Sequence, residues 1–137
     1  MNINQISVFL ENKPGNLSKL TKFLADNKID MSAFQIVDNS DYGIVRIIVD
    51  KPFDTLTLLK DNGWVCNMTQ VVCVKIPDAA GEMSKALTVL DKEGISIDYA
   101  YTYPNRNGDG ALMVIRVAEP DRVAGLFSKS GIKVIEG

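Results

Sequence analysis

The chain repeats itself, and this limits what it can fold into more than any other feature. Displaced by about 66 residues, it falls back on itself with apolar and glycine positions in step. Ile6, Val8 and Leu10 fall on Val72, Val74 and Ile76. Gly15 falls on Gly81, Leu17 on Met83, Ser18 on Ser84 and Lys19 on Lys85. Phe23 meets Val89, Leu24 meets Leu90, Ile29 meets Ile95 and Met31 meets Ile97. The second copy then carries extra residues, Pro104-Asn105-Arg106-Asn107-Gly108-Asp109-Gly110, a loop rich in turn formers. Beyond it, Val45-Arg46-Ile47 aligns with Ile115-Arg116-Val117, Pro52 with Pro120, Leu58 with Leu126 and Gly63 with Gly131. Few residues are identical, but the pattern holds along nearly the whole chain. The expected organisation is a duplication, with units 1–68 and 69–137.

Each copy reads alike. Gln5 to Leu10 alternates as a strand does. A Pro-Gly turn follows, then Leu17, Leu20, Phe23 and Leu24 at helical spacing. Ile29 to Val37 is extended, Asp38-Asn39-Ser40-Asp41 is a turn cluster, and Ile44 to Val49 is an apolar, β-branched strand. Pro52 suits the first turn of a second helix carrying Phe53, Leu56 and Leu59. Asn62-Gly63 ends it, and Trp64 to Met68 is a final short strand. The order β-α-β-β-α-β is the split βαβ, or ferredoxin-like, arrangement, an α+β fold with helices on one face of an antiparallel sheet. The other face is not very polar. Ile44 and Ile48 alternate with Val45, Ile47 and Val49, and Ile97, Tyr99, Tyr101 and Tyr103 share one face. A partner is expected to cover such a face, through side-by-side pairing of the copies and a homodimer.

The composition removes several function classes. The chain has no histidine, which excludes Ser-His-Asp and Cys-His nucleophile systems and zinc sites with imidazole ligands. Nothing in a formal charge of −2 suggests nucleic acid or an anionic membrane as partner, since both would call for a basic face. No apolar run reaches membrane-spanning length. The start, Met1-Asn2-Ile3-Asn4-Gln5, lacks the basic region of a signal peptide. Cys66 and Cys73, without a CxxC spacing, are expected to be reduced thiols in a cytoplasmic protein.

The most informative stretch is Asn12-Lys13-Pro14-Gly15-Asn16-Leu17, with its counterpart Asp78-Ala79-Ala80-Gly81-Glu82-Met83. Each joins the first strand to the first helix. A helix N-terminus offers backbone N–H groups without internal partners, and glycine lets a ligand approach them. Asn12 can accept and donate hydrogen bonds, and Asp78 can accept from an ammonium group. A carboxylate on the amides beside an ammonium on Asn or Asp describes a free α-amino acid site. The same residues also suit plain helix capping, and the loop alone leaves both roles open.

With this turn, the Leu-rich helix and the duplication, the chain resembles tandem ACT domains, the regulatory modules attached to enzymes of amino-acid biosynthesis. The resemblance covers almost the whole chain and leaves no room for a catalytic domain. It implies a non-catalytic protein, without a cofactor or metal, that binds a free amino acid at an interface between two domains. The turn of one domain and the start of the second strand of its neighbour would supply the contacts. One half-site is then Asn12, Lys13, Pro14, Gly15, Asn16 and Leu17 with Ser96 and Ile97. The other is Asp78, Ala79, Ala80, Gly81, Glu82 and Met83 with Asp30 and Met31. Ala80 departs from the usual proline, and Asp78 with Asp30 would oppose a ligand carboxylate, so the Asn12 site is expected to be the better one.

Other residues have plainer readings. Arg46 and Arg116 suit a charged position on an exposed sheet face, Trp64 a core or interface anchor, and the tyrosine stripe burial against another sheet. Pro104 to Gly110 reads as a hairpin connection that could also close over a site. The alternative to a ligand sensor is a non-catalytic subunit that docks on a metabolic enzyme. An acylphosphatase-type hydrolase is disfavoured, because no arginine lies in the first turn where an anion cradle would want it.

Overall fold

The computed structural model describes residues 2–38 and 41–137, so the turn expected over Asp38 to Asp41 lies partly outside the described residues. The elements are β1 (Ile3–Glu11), α1 (Asn16–Asp26), β2 (Met31–Asp38), β3 (Tyr42–Val49), α2 (Pro52–Asp61), β4 (Val65–Ile76), α3 (Glu82–Lys92), β5 (Tyr99–Pro104), β6 (Ala111–Arg116), α4 (Pro120–Lys129) and β7 (Val134–Ile135). They form two βαββαβ repeats. Pro52 and Pro120 each sit in the first turn of the second helix of their repeat, where the missing N–H costs nothing.

β4 differs from the expected short strand. It runs for 12 residues without a break, so its first half closes one repeat and its second half opens the next. Nothing between Met68 and Val72 is a glycine, a proline or a turn former that would end the strand.

One compact unit spans Asn4–Thr69, with strand order β2-β3-β1-β4. β1 pairs antiparallel with β3, Ile6 opposite Ile47 and Val8 opposite Val45. Alternation points Ile6, Val8, Val45 and Ile47 at Leu20 and Leu24 of α1 and Leu59 of α2, and all seven are 0–1% exposed. Each such side chain contributes roughly 1.5–3 kcal/mol when fully buried. β2 pairs with β3, with a register shift between Met31 and Ala33. Such a bulge re-aims the side chains at the start of the strand.

The other unit comprises Gln70–Gly137 together with Asn2 and Ile3. Its strand order is β5-β6-β4-β7. Val72, Val74, Met113 and Ile115 face Ala86 and Leu90 of α3 and Phe127 of α4. The first residues of the chain are tied in by the Asn2 side-chain amide, which donates to the Asp121 carboxylate at 2.8 Å. Asn2 and Ile3 are buried, and the Asn2 Oδ1 has no partner among the described residues.

Candidate functional site

Both repeats enter their first helix through the same tight turn. The Lys13 N–H donates to the Glu11 carbonyl at 2.8 Å, and the Asn16 N–H to the Lys13 carbonyl at 3.3 Å. In the second repeat, Ala79 donates to Pro77 at 2.9 Å and Glu82 to Ala79 at 3.3 Å. Gly15 and Gly81 stand at the N-cap with φ of 88° and 86°, a left-handed conformation that side chains with a Cβ disfavour.

Neither helix has a side-chain cap. The capping role that the sequence left open to Asn12 and Asp78 is therefore not taken, because glycine occupies the cap three residues later. Both side chains are exposed, and neither has a hydrogen-bond partner among the described residues. The amides of the first helical turn, Leu17 and Ser18 in α1 and Met83 and Ser84 in α3, have no carbonyl of their own helix to reach.

The two turns differ in what braces them. The Asn16 side chain donates to the Glu11 carbonyl at 2.8 Å. Glu82, its counterpart, instead pairs with Lys85 at 3.5 Å. Lys13 and Glu11 form an ion pair at 2.8 Å. Their mutual hydrogen bond, and secondly their charges, hold the Glu11 carboxyl below its ordinary range and the Lys13 ammonium above. Both are fully exposed, so this pair orients the turn more than it stabilises the fold.

Leu17 and Met83, in the first turns of α1 and α3, are 37% and 43% exposed. Ser96 is exposed, while Ile97 is half-buried against the second core. Asp30 is exposed, and Met31 begins β2 half-buried against the first core. Within the second repeat, Met83 and Ile97 line one groove of about 620 Å³.

Asp78, Ala79, Gly81 and Met83 line a cleft of about 710 Å³ whose opposite wall runs from Thr102 to Pro104 and includes Gly110. The loop read as a hairpin connection thus borders the Asp78 turn. Gly110 packs directly on the Ile76 carbonyl, where no side chain would fit. Its role went unread in the sequence, although the extra residues at that point were visible. In the first repeat, Lys13 and Asn16 line a groove of about 780 Å³ that runs along α1 to Trp64.

The remaining candidates are held in place by local bonds. Arg46 is half-buried and donates to the Gln35 side chain at 3.1 Å. Arg116, also half-buried, donates to the carbonyls of Gln70 at 3.1 Å and Val117 at 2.8 Å. Tyr103 is buried, and Tyr99 and Tyr101 are half-buried. Among the described residues no cluster of His, Cys, Asp or Glu could hold a metal ion. No helix among them is long and apolar enough to cross a membrane.

No curated protein matches the sequence. A crystal structure of a protein from Bacteroides thetaiotaomicron is similar, with 36% identity and a TM-score of 0.90, covering 98% of this chain and 92% of that one. The ligand-free regulatory subunit of aspartate kinase from Thermus thermophilus shares the fold at 16% identity and a TM-score of 0.64, over 95% of this chain and 93% of that one. The regulatory subunit of aspartate kinase from Thermus flavus does so at 16% identity and a TM-score of 0.61, over 96% and 94%. Residues 1–136 match the family described as the ACT domain pair, and the chain belongs to that family.

Proposed function

We propose that this ACT domain pair is a regulatory, non-catalytic protein of the cytoplasm that binds a free α-amino acid and acts as a homodimer on a metabolic enzyme. The observation that carries this reading is the twin turn, with unengaged first-turn amides beside an unengaged Asn12 or Asp78. The amides of Leu17 and Ser18 take the ligand carboxylate, helped by the helix dipole, and the Asn12 side-chain oxygen takes the ammonium. Ser96 and Ile97 of a neighbouring ACT domain complete this half-site, and Asp30 and Met31 complete that of Asp78. The Asn12 turn is the stronger amino-acid site, because Asp78 and Asp30 together repel a carboxylate. Proteins sharing this fold that are named as regulatory subunits of aspartate kinase support a role beside an enzyme.

A second reading, a docking subunit without a ligand, is favoured by one observation. β2 is the outer strand of its sheet, and its Phe34 and Ile36 are 40% and 49% exposed.

A thermal-shift screen with the twenty free amino acids separates the two. Ligand at about 100 times its dissociation constant stabilises the protein by roughly 2.7 kcal/mol. We expect one amino acid, or a chemically related few, to raise Tm, and Asn12→Ala to abolish the rise. Loss only in Asp78→Ala moves the site to the second turn. No shift with any amino acid rejects the sensor and favours docking.

A further inference from the structure

The groove along α1 in the first repeat has a chemistry that the turn does not explain. Phe23 and Trp64 form one wall, with ring centroids 5.8 Å apart and planes tilted by 52°. Both half-buried rings rest against the core and also line about 780 Å³ of groove, a volume typical of small-molecule sites. The indole N–H of Trp64 has no acceptor among the described residues and stays open to solvent, so a ligand in the groove can take it. Three lysines also line the groove. Glu11 neutralises Lys13 at 2.8 Å and Asp26 neutralises Lys22 at 3.0 Å. Lys19 has no ion-pair partner among the described residues.

The second repeat shows which of these features the fold requires. Ile132 replaces Trp64 and Val89 replaces Phe23. Ile132 nevertheless closes its core in the same way. Its N–H donates to the Phe127 carbonyl at 2.9 Å, as the Trp64 N–H does to the Leu59 carbonyl at 3.0 Å. Only Lys85 keeps the charge of Lys19, and there Glu82 pairs with it at 3.5 Å. Closing the core therefore needs neither aromatic ring nor an indole donor, although lysines line the groove of the second repeat as well. Those rings and that donor occur together in the first repeat alone.

We propose that this groove binds a small planar aromatic carboxylate. The ring of the ligand packs on Trp64 and Phe23, and its carboxylate takes the Lys19 ammonium and the indole N–H. Stacking supplies orientation, and the charge-assisted bond supplies selectivity for an acid. The site does not depend on the amino-acid reading, although Lys13 and Asn16 border both.

Trp64 is the sole tryptophan, so its emission reports this groove directly. The probe is anthranilate, which absorbs where tryptophan emits. We expect saturable quenching of Trp64 with matching growth of anthranilate emission. Lys19→Gln should weaken the binding at least about tenfold, the loss of one charge-assisted bond. Lys85→Gln, at the equivalent place in the second repeat, and Asn12→Ala should leave it unchanged. Cyclohexanecarboxylate, an acid without a planar ring, should fail to compete. Quenching that never saturates, equal binding by the Lys19→Gln protein, or equal competition by cyclohexanecarboxylate each overturns the proposal. Because Asn12→Ala is judged by the amino-acid screen and Lys19→Gln by the quench, the failure of either reading is seen separately.

Discussion

Lys28 and Gly94 occupy the same place in the two repeats, one residue beyond the helix C-cap, and both have left-handed backbone, with φ of 56° and 65°. The bonds around them match. The Lys28 N–H donates to Ala25 and the Ile29 N–H to Leu24, while Gly94 donates to Asp91 and Ile95 to Leu90, all at 3.0 Å. This closure wants glycine, and a side chain costs roughly 1–2 kcal/mol of local strain. Part of that is recovered because lysine loses less backbone entropy on folding. Lys28→Gly is therefore expected to stabilise the protein by roughly 0.5–1 kcal/mol, and Gly94→Lys to destabilise it by a similar amount. Urea midpoints of the two variants measure this. A fall in the Lys28→Gly midpoint would refute it.

The Cys73 thiol lies 3.6 Å from the Tyr103 hydroxyl. Burial pushes the thiol up to about 11, outweighing the opposing effect of the bond to Tyr103. The Tyr103 phenol is raised too, first by burial and then by Cys73. A thiol harder to ionise when folded gives stability that is intact below the unfolded value near 9 and is lost as pH rises to about 11. Two pH units correspond to roughly 2.7 kcal/mol at most. Urea unfolding at pH 8, 10 and 11 should show this loss, with a shallower one in Cys73→Val. Equal slopes in the two proteins would mean that the thiol does not take part.

Lys75 and Lys133 are cross-strand neighbours. The register pairs Val74 with Val134, and the Lys75 N–H donates to the Lys133 carbonyl at 2.9 Å. Neither lysine has an ion-pair partner among the described residues. Like charges so placed are unfavourable, and an opposite pair gains roughly 0.2–1 kcal/mol. Lys133→Glu should raise Tm in low salt, with the gain shrinking by 0.5 M salt as screening grows. A salt-independent change would point to strand propensity instead.

Much of this architecture could be read from the residues. Alternation in Ile6, Val8, Val45 and Ile47 and helical spacing in Leu20 and Leu24 define both faces of the first core, because the burial of each is set by its own element. Pro52 and Pro120 marked helix starts for the same local reason. What local patterns could not show was decided by geometry across the chain. Asn12 and Asp78 had the chemistry of caps, but the turn puts Gly15 and Gly81 there. β4 runs on unbroken, since absent turn formers are a weaker signal than present ones. Trp64 reads as a core or interface anchor, and with Phe23 it packs half-buried against the first core. No periodicity says that such rings also border a groove with an idle N–H.

Asn2 and Ile3 have a consequence for how the gene can be divided. They open the first repeat in the sequence but pack with the second in space, joined to it through Asp121. A cut between Thr69 and Gln70 yields a second fragment stripped of two buried residues and of the partner of that carboxylate. The duplicated halves have ceased to be cassettes. Recombination that swaps one for a foreign copy must carry the opening residues along with the far end of the message, or leave a wound in the half it meant to keep whole.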